Sequence, residues 1–165
     1  MWNTVEEFAQ WYEEQGFPIR PPQQNAIFRT NNASAVVLYR EGQFQVEMYI
    51  GDPNTITPEH SHPGVESMIM YLSGDGSTTV NGAEVADPSP YFNMINPDGT
   101  SVLFKQKVRV NPSDTHGLKT YSRGFAFFSI EKWPDGVEPT SVAAHWEGES
   151  TGDIHNKIIK GVNNE

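Results

Sequence analysis

The stretch Pro58-Glu59-His60-Ser61-His62-Pro63-Gly64-Val65-Glu66-Ser67-Met68-Ile69-Met70-Tyr71-Leu72-Ser73-Gly74-Asp75-Gly76 decides how this chain is read. His60 and His62 stand two residues apart, so in an extended strand both imidazoles share a face. Pro63-Gly64 is a turn signal. Val65–Leu72 is then apolar except for Glu66 and Ser67, the pattern of a strand covered on both faces. Glu66 is an ionisable residue in an apolar strand, and burying a carboxylate without a partner is costly. If it points inward with His60 and His62, strand parity carries Met68, Met70 and Leu72 inward as well. Ser73–Gly76 reads as a tight turn.

Outward from this stretch the period stays at two. Upstream, Ala33–Arg40 and Gln43–Ile50 flank Glu41-Gly42, a hairpin signal in which Phe44, Val46, Met48 and Ile50 oppose Gln43, Gln45, Glu47 and Tyr49. Downstream, Ser77–Val80 and Ala83–Ala86 are joined by Asn81-Gly82, a type I′ signal. Tyr91–Ile95, Ser101–Val110, His116–Thr120 and Gly124–Trp133 follow between Gly/Pro/Asn/Asp turns. Eight to ten short strands at regular spacing predict an all-β sandwich or barrel. Before them, Thr4 with Glu7 three residues on is a capping box, and Val5, Phe8 and Trp11 share a helical face that ends at Gly16. After them, Val142–Trp146 and Ile154–Ile159 are apolar pieces of a covering arm. The chain thus reads as one domain over residues 1–165, with a helix in 1–16, a barrel core in 26–133 and an arm in 134–165.

Composition narrows the partners. With 165 residues, 11 Lys+Arg and 21 Asp+Glu, the net charge is −10. That disfavours nucleic acid, whose binders displace phosphate counterions with a basic face, and an anionic membrane surface. Lys105, Lys107 and Arg109 alternate with Gln106 and Val108 as a wet strand face would. Cys is absent, which removes disulfides, thiolate metal sites and cysteine nucleophiles. No basic start or apolar run suggests a signal peptide, so a cytoplasmic location is expected.

A second histidine site lies at Asn111-Pro112-Ser113-Asp114-Thr115-His116, where Pro and Asp place His116 at the opening of a strand. His60, His62, Glu66 and His116 together make a mixed N/O ligand set suited to Fe(II), Mn(II), Ni(II), Co(II) or Zn(II), whereas calcium would ask for mostly oxygen ligands. The alternative is that the His-x-His pair is merely exposed beside a turn, with His116 capping a strand. Gln106 interrupts an apolar face and is a candidate to hydrogen-bond a ligand at the barrel mouth. Tyr71 is a candidate acid or base. Tyr39, Tyr49, Tyr91 and Tyr121 read as packing residues, and His145 and His155 as surface residues.

The Pro58–Gly76 stretch resembles the first conserved motif of the cupin superfamily, and Asn111–Leu118 resembles the second, although Asp114 stands where Gly is common and the second loop is one residue short. The resemblance covers roughly Ala33–Trp133. It implies a double-stranded β-helix, a jelly-roll barrel holding one divalent metal on His60, His62, Glu66 and His116, with Fe(II) expected first. By the same resemblance, the expected activity is dioxygenase or oxygenase chemistry on a small molecule. Non-oxidative lyase, isomerase or decarboxylase chemistry is the alternative, and a binding or structural module a further one. A metal-free sugar epimerase is disfavoured, because no basic cluster near the histidines would hold a nucleotide diphosphate. Open sheet edges in a small jelly roll predict a homodimer.

Overall fold

The computed structural model describes residues 1–21, 27–29, 32–84, 93–95, 101–103, 107–140, 147–148 and 157–158. One helix, α1 (Val5–Glu14), precedes the strands β1 (Ile27–Arg29), β2 (Ala33–Glu41), β3 (Phe44–Gly51), β4 (Ile56–Ser61), β5 (Glu66–Val80), β6 (Ala83–Glu84), β7 (Asn93–Ile95), β8 (Ser101–Leu103), β9 (Lys107–Val110), β10 (His116–Lys132), β11 (Glu147–Gly148) and β12 (Lys157–Ile158). The helix begins as its sequence prescribes. Thr4 Oγ1 accepts from Glu7 N at 3.1 Å, and the Glu7 carboxylate reaches back to Asn3 N at 2.8 Å.

Two long strands organise everything else. The first half of β10 lies between β4 and the far end of β5, with Leu118 opposite Thr57 and Thr78. Its second half lies between β3 and the near end of β5, with Ser129 opposite Glu47 and Ile69. The sheet therefore folds over into two layers, β11-β4-β10-β5-β6 and β12-β1-β2-β3-β10-β5-β9, which share β5 and β10. This is the double-stranded β-helix that the motifs imply.

The fold-over explains a departure from the sequence reading. Ser73–Gly76 is not a turn between separate strands, nor is β10 two strands. Both chains run on as strand and bend together at Gly74 (φ 96°) and Gly124 (φ 70°). A Cβ on Gly74 would overlap the Gly124 carbonyl, so the close crossing requires glycine there. The Asn81-Gly82 turn is as expected, with φ of 51° and 80°.

Two apolar clusters result. Between the layers lie Ala35, Val37, Tyr49, Ile69, Val108, Leu118, Phe125 and Phe127. On the outer face of the second layer, Val5, Phe8 and Tyr12 of α1 cover Tyr39, Phe44, Val46, Met70, Phe128 and Ile130. Trp2 and Trp11 join this outer cluster, each 4.7 Å or more from its aromatic neighbours. Burying each such side chain contributes about 1.5–3 kcal/mol, so α1 is held mainly by packing. Of the expected arm, β11 pairs with β4 and β12 with β1. Tyr91, Gln106, His145 and His155 lie outside the described residues, as does the side chain of Tyr71. Among the described residues no helix is long and apolar enough to cross a membrane.

Candidate metal centre

The site grows out of β4 and the start of β10, neighbours in the first layer. His116 is directly opposite His60 in the pairing of these strands. His62 follows β4 at a turn in which Val65 N donates to His62 O at 3.0 Å, with Pro63 and Gly64 (φ 78°) at its centre. The rings of His60 and His116 are 4.3 Å apart between centroids, those of His60 and His62 4.9 Å, and those of His62 and His116 5.0 Å. One ligand nitrogen from each lies within 4.8 Å of the others.

Their chemistry suits a divalent metal. His60 is 4% and His62 7% exposed. The Pro58 carbonyl lies 2.7 Å from His60 Nδ1, which assigns the proton to that nitrogen and the lone pair to Nε2. Burial pushes the His116 imidazole down to about 4, against a smaller opposing effect of Asp114, so it stays neutral at physiological pH. His116 Nδ1 is buried without a hydrogen-bond partner among the described residues. Three converging imidazoles, that of His116 neutral and with a buried, unsatisfied nitrogen, fit a transition metal.

Outer residues hold this geometry. The Glu59 carboxylate accepts from Thr79 Oγ1 at 2.6 Å, Gly82 N at 2.8 Å and Thr115 Oγ1 at 3.1 Å. It thus ties β4 to the β5–β6 turn and to the residue before His116. Asp114 bonds Asn81 Nδ2 and Asn111 N, contacts that hold its carboxyl below the usual range. The shortened loop before His116 is therefore braced by the Asn81-Gly82 turn. In the sequence Glu59 and Asn81 read only as motif and turn residues; the long-range pairing that makes them supports has no local signature.

Glu66 does not join the histidines. Its Oε1 accepts from Arg109 Nη2 at 2.6 Å, and Arg109 also reaches Glu6 of α1 at 3.1 Å. The turn at Pro63-Gly64 sets the phase of β5 so that Ser67 and Ile69 face the histidines. Met68 and Met70 pack toward α1, opposite to the expected parity. Because both faces of this strand are covered, its composition carried no phase.

The space between the layers is a cavity of about 30 Å³, measured to the centres of solvent molecules. Besides the three histidines, Tyr49, Ile69, Leu118 and Phe127 give it apolar walls, and Thr57, Ser67 and Ser129 supply hydroxyls. Tyr49 and Phe127 stack at 5.3 Å. Next to it, Gln45, Glu47 and Glu131 are each fully buried on the second layer. The polar face of the β3 run is thus the inner one, and its apolar face packs on α1. Sequence reasoning missed both carboxylates; for Glu47 the signal was its alternation with Gln45 and Tyr49 in one strand, and Glu131 on β10 had none of that kind.

No family model matches the sequence, and no curated protein matches it. Among solved structures, the chain is similar to the cupin domain of Cnp3 from Schizosaccharomyces pombe, at TM-score 0.46 and 11% identity over 61% of this chain and 64% of that one. It is also similar to a protein with a double-stranded β-helix domain from Klebsiella pneumoniae, at TM-score 0.47 and 15% identity over 82% and 92% of the two chains. A third is a predicted oxalate decarboxylase from Thermotoga maritima, at TM-score 0.49 and 12% identity over 70% and 97%.

Proposed function

We propose that this chain, a cupin-type double-stranded β-helix, is a metal-dependent enzyme acting on a small molecule. His60, His62 and His116 would hold one divalent transition metal. The observation that carries the reading is the convergence of three imidazoles, two buried and one half-buried, to within 4.8 Å, the His116 ring with a nitrogen unpartnered among the described residues. Bound there, the metal supplies Lewis acidity and open positions for substrate. The chain does the rest. Tyr49, Ile69, Leu118 and Phe127 exclude water, while Thr57, Ser67 and Ser129 orient polar atoms of a molecule entering between the layers.

Two reaction classes fit such a centre. Fe(II)-dependent oxygenase chemistry is the reading supported by the motif resemblance. Non-oxidative lyase, isomerase or decarboxylase chemistry is supported by the buried carboxyl groups beside the cavity, which can store a proton for transfer. Elemental analysis of the purified protein tests the shared claim. One transition-metal ion per chain is expected, with occupancy lost in His60→Ala and His116→Ala. Metal content unchanged in both variants would overturn it. Oxygen uptake by the iron-loaded protein during a substrate screen separates the two classes.

A further inference from the structure

The wall facing the histidines carries a titratable group that the ligand set does not use. In the second layer Ser67, Glu131, Gln45 and Arg40 are successive cross-strand partners on β5, β10, β3 and β2. Directly paired residues point to the same face, so the Glu131 side chain stands beside Ser67, which lines the cavity. Ser129, two residues back on the same face, also lines it, and its hydroxyl acts on the Glu131 carboxyl.

The carboxyl itself is 0% exposed and asymmetrically held. Its Oε1 accepts from Trp133 Nε1 at 2.7 Å and from Gln45 Nε2 at 3.2 Å, and Gln45 also donates to the Thr140 carbonyl. Gln45 Oε1 accepts in turn from Arg40 Nε at 2.8 Å. Glu131 Oε2, by contrast, is buried with no partner among the described residues. An ionised carboxylate would leave that oxygen's charge unsolvated, whereas a protonated Oε2–H is a donor in search of an acceptor. Glu47, also fully buried and opposite Ser129, adds a second acid on this face, and two such acids do not both ionise at low cost. The charged groups facing Glu131 are thus Glu47 from β3 and Arg40 from β2, with Glu138 acting on Arg40.

We propose that Glu131 is the proton-holding group of this cavity, exchanging its proton with a bound molecule through the Ser129 hydroxyl on the wall opposite the three histidines. The proposal rests on the reading of the cavity as a substrate site. In the step, the carboxyl turns its O–H toward Ser129, and the O–H bond breaks as the proton moves to Ser129 Oγ. The original Ser129 proton passes to a basic atom of the bound molecule, leaving a carboxylate beside Gln45, Trp133 and Arg40. Glu131 acts through Ser129 and is a positioning residue for the proton. Burial raises its carboxyl to about 8, against weaker opposing hydrogen bonds from Trp133, Ser129 and Gln45, so the proton is retained at neutral pH.

Infrared difference spectroscopy across pH on the full chain tests the storage. The carbonyl band of a protonated carboxyl should persist at neutral pH and titrate near 8. It should vanish in Glu131→Gln, survive in Glu47→Gln, and shift in frequency in Ser129→Ala, which leaves the acid in place. A band absent from the wild type, retained in Glu131→Gln or unmoved in Ser129→Ala would overturn the proposal. The visible spectrum of the Co²⁺-loaded protein then tests the link to the site. It should show a step with the same midpoint as the band in the wild type and none in Glu131→Gln; a step persisting in Glu131→Gln contradicts the link. Failure of Co²⁺ to bind overturns the metal reading, while the infrared band still reports on Glu131.

Discussion

At the scale of single residues, the histidines and the glutamates have opposite legibility. His60 and His62 declared themselves by an i, i+2 spacing beside a turn, and His116 by its place after Asn111–Thr115. Glu66 had the right chemistry and spacing, yet its carboxylate binds Arg109 on the far face of β5. The phase of a strand apolar on both sides is set by the turn before it, which composition does not reveal. Glu66→Gln should therefore leave metal content unchanged and cost stability only about 0–1 kcal/mol, because both partners are near 30% exposed. Metal analysis and urea denaturation of that variant check the assignment. A loss of metal equal to that of His62→Ala would make Glu66 a ligand after all.

At the scale of elements, the sequence located the β2–β3 hairpin and the runs of β5 to β10, but gave no bounds for β1, β4 or β11 and did not show how the longest two strands behave. Gly74 and Gly124 looked like breaks, and they are bends within β5 and β10 that carry both strands from one layer to the other. Glycine signals a backbone freedom, and whether that freedom ends a strand or redirects it depends on what crosses opposite. Gly74→Ala should destabilise the protein by roughly 1–3 kcal/mol, since it combines a left-handed φ with a clash at the Gly124 carbonyl. Urea unfolding measures this. A change within error of zero would show that the crossing is looser than described. The helix was legible for a simpler reason, since its cap and apolar face are both local patterns.

Across the whole molecule, the two layers divide the work. The first presents three imidazoles and the second buries Glu47 and Glu131 opposite them, a polar lining that helix α1 backs with an apolar cluster. This arrangement costs stability in a pH-dependent way. The folded Glu131 carboxyl titrates near 8 and the unfolded one in the ordinary carboxylate range, so the folded state carries the extra proton between these limits. Stability is then full in acid and falls as pH rises through that window. Thermal denaturation from about pH 5 to about pH 8 should show this decline in the wild type and flatten it in Glu131→Gln. An equal slope in both would assign the effect elsewhere. The −10 net charge argues against nucleic acid, yet within the cavity burial keeps the His116 imidazole and the Glu131 carboxyl uncharged at neutral pH.

The central claim is that the three imidazoles hold a metal between the layers. A crystal structure of the metal-loaded protein, with the element identified by anomalous scattering, tests it most directly. The expected result is one ion with His60, His62 and His116 nitrogens at roughly 2.0–2.2 Å, Ser67 and Ser129 on the opposite wall, and Glu66 still on Arg109. An ion bound elsewhere, or none between these three rings, would contradict it.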